Sequence, residues 1–533
     1  MGIQRFAWSP DGRQIAFIAP QETPEKPDST RFNNAFEVGS NGYLVDRAPL
    51  RSVLWLVDVM DLSRNIISPD SITLATGLYI SDLSWSPDGQ AIAFTGFASA
   101  YSGDSDLSKN YILNIANKTV HPATAHQMQE TAPLFAPDGK WLAYSYPREG
   151  VPANQNELHM VDVKSGKSIN ISRNIDREVN DFHWLNNENI ILSVQDGVKS
   201  GLWLQKVNEN GKKLALGNIA GINYFDVHPS GSMILIGREP NRPDELYYKS
   251  NVNAVPKKLT DYNKNITNLK LGKREGFTWQ STKGFQPDGV LTYPPDFDVN
   301  KKYPLVLYIH GGPTAASGIG FEFLPYYMAS KGWIVFQPNY RGSNNLGNAF
   351  QSAIANDAAE GPGEDIMTGV NALKQKSYID SNKIAVSGWS YGGWMTAWMI
   401  GRYPDEWVAA MAGAAPVDYT DMYSLSDLNR MLRHAITDSP YKKDNLKAAY
   451  EQSPITYFPN IITPTLIMSK TADARVSITG SYKLYNALRD NGIDVQFIAY
   501  PGPGHFPSDP VNALDVYKRW TAWLEKYLVV PKP

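Results

Sequence analysis

Val386-Ser387-Gly388-Trp389-Ser390-Tyr391-Gly392-Gly393 decides how the C-terminal half of this chain is read. It follows a short apolar run from Lys383 and precedes a helical pattern from about Gly393 to Arg402. Gly-x-Ser-x-Gly at a strand-to-helix turn is a nucleophile elbow, a turn tight enough to need small residues on both sides of the Ser. The turn lifts the Ser390 hydroxyl clear of the sheet, where a base can take its proton. It also leaves backbone N–H groups at a helix start, directed to where an oxyanion would form. Gly and Ser are common residues, and many such matches are ordinary turns, so the neighbours have to decide.

Working outward, continuously apolar runs occur at 305–309, 334–336, 384–386, 465–468 and 495–499. Such runs suit parallel strands covered on both faces. Helical patterns lie between or after them, at 364–376, 478–490 and 510–528; the last sets Leu514, Tyr517, Trp520, Leu524 and Tyr527 on one side. After a β-rich lead-in from Gly276 to Tyr293, this alternation predicts a doubly wound, mostly parallel sheet. The fold expected for 263–533 is an α/β-hydrolase domain with reactive groups at the carboxyl ends of its strands.

The run 305–309 ends in His310-Gly311-Gly312-Pro313. Adjacent glycines let backbone approach a ligand closely, so an N–H there can complete an oxyanion hole with the N–H of Tyr391. A plain Gly-Pro turn is the rival reading, and its place upstream of an elbow favours the functional one. In this fold the triad runs Ser, then Asp or Glu, then His. Asp473 follows the run 465–468, and His505 follows the run 495–499, both in loops at the expected edge of the sheet. Only three His occur in this half: His310, in the oxyanion loop, His434, in a helical stretch, and His505, left as the base. Asp418 and Asp421 compete with Asp473 but precede the late strand and fit the order less well.

The N-terminal half repeats an aromatic-Ser-Pro-Asp-Gly motif followed by an alternating strand. Copies begin at Trp8, Trp85 and Phe135, with degenerate ones at Trp184 and Val227, spaced by 77, 50, 49 and 43 residues. Pro-Asp-Gly is turn chemistry, so each copy reads as a hairpin, and a second strand pair follows most copies. Four strands every 40–50 residues predict β-propeller blades over 1–262. The long first spacing holds an insertion, Pro20 to Leu50, read as a loop leaving a blade. The first copy starts at Phe6, so the ring is expected to be open or strained, with part of a larger propeller missing and association into a homo-oligomer covering the gap.

Bulk composition sets outer limits. A chain of 533 residues, 42% hydrophobic and 19% charged, is expected to fold as two or more soluble domains. A net charge of −3 calls for no nucleic acid or anionic membrane partner. With no Cys, thiolate metal sites, Cys nucleophiles and disulfides drop out. No apolar run is long enough to span a bilayer, and Met1-Gly2-Ile3-Gln4-Arg5 carries no signal-peptide pattern. The cytoplasm is the default compartment, and the periplasm or the exterior the expectation if an N-terminal portion is missing.

Ser-Pro-Asp-Gly blades joined to a domain bearing His-Gly-Gly-Pro and Gly-Trp-Ser-Tyr-Gly-Gly resemble the prolyl oligopeptidase family of serine peptidases, nearest its acylaminoacyl- and dipeptidyl-peptidase branches. The resemblance implies Ser390 as nucleophile, Asp473 as orienting acid and His505 as base, with the Gly312 and Tyr391 amides in the oxyanion hole. It places Val417 and Tyr423 in the wall of the S1 pocket. It implies short peptides as substrates, esters as the alternative, and no metal or organic cofactor. A propeller binding protein with an inactive hydrolase domain is the reading from another class, and an intact triad opposes it. The sequence departs from the family in three places. Ser469-Lys470 stands where a His-Gly pair is usual, five copies replace seven or eight blades, and the paired Glu that holds a substrate amine is not recognisable. Glu37 is a weak candidate for that last role, better read as an exposed loop residue.

Overall fold

The computed structural model describes all residues except 1, 22–25, 60–69, 73–77, 208, 430–432, 434–437 and 530–533. The first half forms five four-stranded sheets, each with its strands in sequence order. They begin at Arg5–Trp8, Tyr79–Trp85, Thr131–Phe135, Val179–Trp184 and Gly221–Val227, so every blade copy in the sequence opens one sheet. Their pairings are antiparallel throughout.

The repeated motif has a local cause. Ser9 Oγ donates to Asp11 at 2.7 Å and accepts from the Gln14 amide at 2.9 Å, and Gly12 closes the turn at φ 69°. Ser86, Asp88 and Gly89 repeat the arrangement, Gly89 at φ 70°, a conformation that favours Gly. The Ser9 hydroxyl holds the Asp11 carboxyl below the usual carboxylate range, as Ser86 does for Asp88. The aromatic residue of the motif reaches sideways: Trp85 Nε1 donates to Ala7 O and Trp184 Nε1 to Leu134 O, both at 3.1 Å. Each indole thereby ties its blade to the one before. Trp85, Phe135 and Trp184 are buried, whereas Trp8 and Phe6 are 53% and 64% exposed. Among the described residues no strand of the first blade pairs with the fifth.

The chain leaves the fifth blade after Lys257–Lys258 and enters an eight-stranded sheet at Arg274–Thr278. From one edge, the strands run Arg274–Thr278, Asp288–Thr292, Ile334–Pro338, Tyr303–Ile309, Ile379–Trp389, Ala409–Gly413, Thr465–Ala472 and Val495–Pro503. The first two pairings in that order are antiparallel and the other five parallel. The Ala-rich strand Ala409–Gly413 was not expected from the sequence; its small side chains carry little strand preference, and burial on both faces selects it. Apolar clusters cover both faces. One includes Leu305, Phe336, Val386, Trp394 and Trp398, the other Val306, Trp333, Ala385, Trp520 and Leu524. Burying one such large side chain is worth about 1.5–3 kcal/mol.

The final helix, Pro510–Leu528, forms where expected, capped by Asp509 through the Asn512 amide. Its buried face differs from the expectation. Val516, Trp520, Thr521, Trp523, Leu524 and Leu528 are buried while Leu514 is 44% exposed, because the helix meets the sheet only from its second turn onward. Among the described residues no helix is long and apolar enough to cross a membrane.

Candidate active site

Ser390 sits where the central strand Ile379–Trp389 turns into the helix Tyr391–Arg402. Its backbone has φ 63° and ψ −125°, a strained position for a residue with a side chain. The turn is held by the Ser390 amide donating to Gly413 O at 2.9 Å and by Ser390 O accepting from the Trp394 amide at 2.9 Å. Small neighbours are compulsory here. A Cβ on Gly388 would lie 2.5 Å from Gly392 O, and one on Gly392 would lie 2.1 Å from Ile309 O. Glycines within a helix cost about 1 kcal/mol each relative to Ala, and contact between the helix and the strand Tyr303–Ile309 outweighs that loss.

The loop after Tyr303–Ile309 passes beside Ser390. A Cβ on Gly311 would lie 3.3 Å from the Ser390 Cβ, and Gly312 has φ 125°, a conformation that favours Gly. His310 is engaged by Tyr340 and Ser343. Its ring stacks on Tyr340 at 4.4 Å, and its Nε2 lies 3.0 Å from Ser343 Oγ. Burial pushes its pKa down to about 4, so the ring is neutral at physiological pH. The Tyr391 hydroxyl donates to Ala358 O at 2.6 Å, which leaves its backbone amide as the group at the helix start.

Asp473 and His505 come from separate strand ends and meet. His505 Nδ1 lies 2.7 Å from Asp473 Oδ2, and Asp473 is fully buried. The other carboxylate oxygen, Oδ1, accepts the amides of Arg475 at 2.8 Å and Val476 at 3.0 Å. That arrangement engages Nδ1 and turns Nε2 away from the carboxylate. Trp389, next to Ser390, donates its Nε1 to His505 O at 3.1 Å and packs edge-on to Phe506 at 4.9 Å. His505 Nε2 is buried without a hydrogen-bond partner among the described residues, so its bond to Ser390 is not formed in this state. Catalytic contacts of this kind commonly tighten only when substrate binds.

The rival acids are engaged elsewhere. Asp418 caps the helix Tyr419–Leu425 and pairs with Lys483 at 2.7 Å; burial opposes its ionisation, yet Lys483 and Thr420 hold its carboxyl below the usual range. Asp421 pairs with the same Lys483 at 2.8 Å. Val417 is fully buried, and Tyr423 is partly exposed with its hydroxyl accepting from Arg433 at 2.6 and 2.9 Å. Glu37 is exposed on the blade-one insertion, and His434 lies outside the described residues.

The sequence reading missed the residues that brace this centre. Asn339 accepts the Ser317 amide at 2.7 Å and donates to Asp288 at 2.7 Å; all three are buried. Arg341 and Asp365, both buried, pair through Nε at 2.9 Å and Nη2 at 2.8 Å. The signal was present: Asn339-Tyr340-Arg341-Gly342-Ser343 is a polar run directly after an apolar strand. The propeller also holds the oxyanion loop, since Ile319 N donates to Val198 O and Phe321 N to Glu239 O, each at 2.9 Å.

Residues 319–530 match the profile of the Prolyl oligopeptidase family. A relative named dipeptidyl-peptidase 5, from Porphyromonas gingivalis, is 30% identical over 471 residues, covering 84% of this chain and 67% of that protein. The chain belongs to the prolyl oligopeptidase family. As a member it is a serine peptidase. The dipeptidyl-peptidase 5 of Porphyromonas endodontalis is 26% identical over 558 residues, covering 99% of this chain and 79% of that protein. Among solved structures, an acylaminoacyl peptidase of Pyrococcus horikoshii superposes with a TM-score of 0.84 at 21% identity, covering 100% of this chain and 83% of that one. A puromycin hydrolase superposes at 0.77 with 16% identity, covering 99% and 79%. Both structures share the fold: a propeller set on an α/β-hydrolase domain.

Proposed function

We propose that this prolyl oligopeptidase family member cleaves short peptides, of dipeptidyl or acylaminoacyl type, through an acyl-enzyme on Ser390. The observation that carries the reading is the His505–Asp473 pair, at 2.7 Å, across from a serine held at φ 63°. Ser390 Oγ attacks the scissile carbonyl while His505 Nε2 takes its proton and later delivers it to the leaving amine. Asp473 fixes the imidazole tautomer. The amides of Gly312 and Tyr391 stabilise the tetrahedral oxyanion, and one such donor is worth about 3 kcal/mol of barrier in comparable sites. Tyr423, packed on the cluster that holds the fully buried Val417, forms the wall against the P1 side chain.

The names of the relatives support the dipeptidyl reading, and the likeness to acylaminoacyl peptidases keeps the other in play. The test is labelling with a fluorophosphonate probe, followed by turnover of dipeptidyl, acylaminoacyl and simple ester substrates. Labelling is expected in the native chain and absent in Ser390→Ala. Ser390→Ala and His505→Ala should each lower kcat by about 10⁴-fold or more without unfolding, because triad members act as a unit. Asp473→Asn should cost about 10⁴-fold through the wrong tautomer. Labelling that survives Ser390→Ala, or turnover confined to esters, would overturn the proposal.

A further inference from the structure

The insertion that leaves the first blade returns to the catalytic domain beside the acid loop. Gly42 is buried against the segment that follows the helix Tyr419–Leu425; a Cβ there would lie 3.1 Å from Asp427 N and 3.2 Å from Leu425 O. The next residue donates its amide to Leu425 O at 3.0 Å, and its hydroxyl, Tyr43 Oη, lies 3.3 Å from the carbonyl of Asp473 itself. The second blade backs the strap. Gly103 N donates to Ser40 O at 3.0 Å, and a Cβ on Gly103 would lie 2.1 Å from that oxygen. Ser102 N donates to Asn41 Oδ1 at 3.0 Å.

The segment under the strap grips the acid loop in turn. Asp427 N donates to Ala474 O at 3.0 Å, and the Asp427 carboxylate takes Arg475 in a two-pronged pair at 2.5 and 3.1 Å. Arg475 N is one of the two amides that hold Asp473 Oδ1. Three layers therefore stack from the propeller to the buried carboxylate: residues 40–43, residues 425–427, and residues 473–476.

We propose that the strap 40–43 is a positioning element for the reaction, setting the acid loop through Gly42 and Tyr43 so that Asp473 holds His505 in line with Ser390. It is not catalytic in itself, for it touches neither substrate nor reacting atoms. The inference rests on the assignment of Asp473 and His505 as orienting acid and base. It makes the first blade part of the catalytic apparatus, beyond any role in sieving peptides.

The test compares Gly42→Val, Tyr43→Phe and, as a control on the same insertion, Phe32→Ala, a residue 81% exposed. Gly42→Val wedges the strap away from Asp427 and should lower kcat by about 100-fold, the scale of an ångström-sized misplacement. Tyr43→Phe removes one long hydroxyl contact and should lower kcat about threefold, the value of one modest hydrogen bond. KM should stay unchanged in both, and fluorophosphonate labelling should slow in parallel with kcat. The downfield proton resonance of the His505 Nδ1–H···Asp473 bond should shift or broaden in Gly42→Val and stay in place in Phe32→Ala. A native kcat and resonance in both strap variants, or a change confined to KM, would overturn the proposal. If Gly42→Val does not fold, Tyr43→Phe, which deletes a single oxygen, still decides. Failure of the underlying assignment would show separately, as a near-native kcat in Asp473→Asn or His505→Ala.

Discussion

Two of the places where the propeller grips the catalytic domain do so by different means. The oxyanion loop is held on the side of the fourth and fifth blades by main-chain bonds, Ile319 to Val198 and Phe321 to Glu239, with Arg274 Nη2 donating to Gly318 O at 2.8 Å. Beneath it, Asn339 links Ser317 to the buried Asp288. The acid loop is met on the first-blade side through close packing on Gly42, a single main-chain bond from Tyr43 N to Leu425 O and one long hydroxyl contact from Tyr43. Buried polar groups that lose a partner retain their full desolvation cost, whereas contacts near solvent are replaced by water. Disturbing the first grip should therefore cost much stability, and disturbing the second little, even where both lower kcat.

The first grip should break hardest. Asn339→Leu strands the Ser317 amide and takes one of two amide partners from Asp288, the other being Asn345 Nδ2 at 2.6 Å. A stability loss of about 3 kcal/mol is expected in denaturant unfolding. The same variant should lose about 100-fold in kcat as the oxyanion loop drifts. A native kcat in a folded Asn339→Leu protein would remove the contrast between the two grips. A gentler probe is Gly318→Ala, whose Cβ would lie 3.2 Å from Val198 O. It should cost about tenfold in kcat with KM and unfolding midpoint unchanged.

Protonation offers a second comparison. His159 in the propeller, like His310 under the oxyanion loop, is pushed down to about 4 by burial. For His159 the neighbouring His126 and Arg173 add to that shift. Between the ordinary His value near 6.5 and about 4, the unfolded chain binds a proton there that the native one does not. Stability should thus fall as pH drops through that window, by about 1.4 kcal/mol per pH unit from His159, and level off below it. Unfolding free energies against pH for the native chain and His159→Gln should diverge accordingly; parallel curves would mean the ring is solvated. The smallest effect is expected from Tyr423→Phe. Loss of the Arg433 contact should change the ranking of P1 side chains about threefold, with the labelling rate of Ser390 unaltered.

What the sequence made legible follows from how local each signal is. The elbow and the Gly-Gly loop are contiguous motifs, and their geometry depends on glycines that nothing else can replace. Asp473 and His505 were found through chain order and strand ends. The blades were countable because Ser9, Asp11 and Gly12 satisfy one another within a few residues. Tyr43 and Asp473 lie 430 residues apart, and a Gly-Tyr pair in an irregular insertion carries no period or motif. The helix face at Leu514 was misread for a related reason: periodicity says which residues share a side, while the docking angle says which part of that side is covered.

The indole bonds from Trp85 to Ala7 and from Trp184 to Leu134 carry a further consequence. Bonds between neighbours let order spread from blade to blade, as in a one-dimensional array. Among the described residues the first blade has such a bond on one side only, and it keeps its own indole in solvent. Amide hydrogen exchange should accordingly run faster in the first sheet than in the second and third. Fraying would then begin in the sheet from which the strap to the acid loop departs, and local melting of the propeller would be felt at Asp473 before the catalytic domain itself begins to unfold.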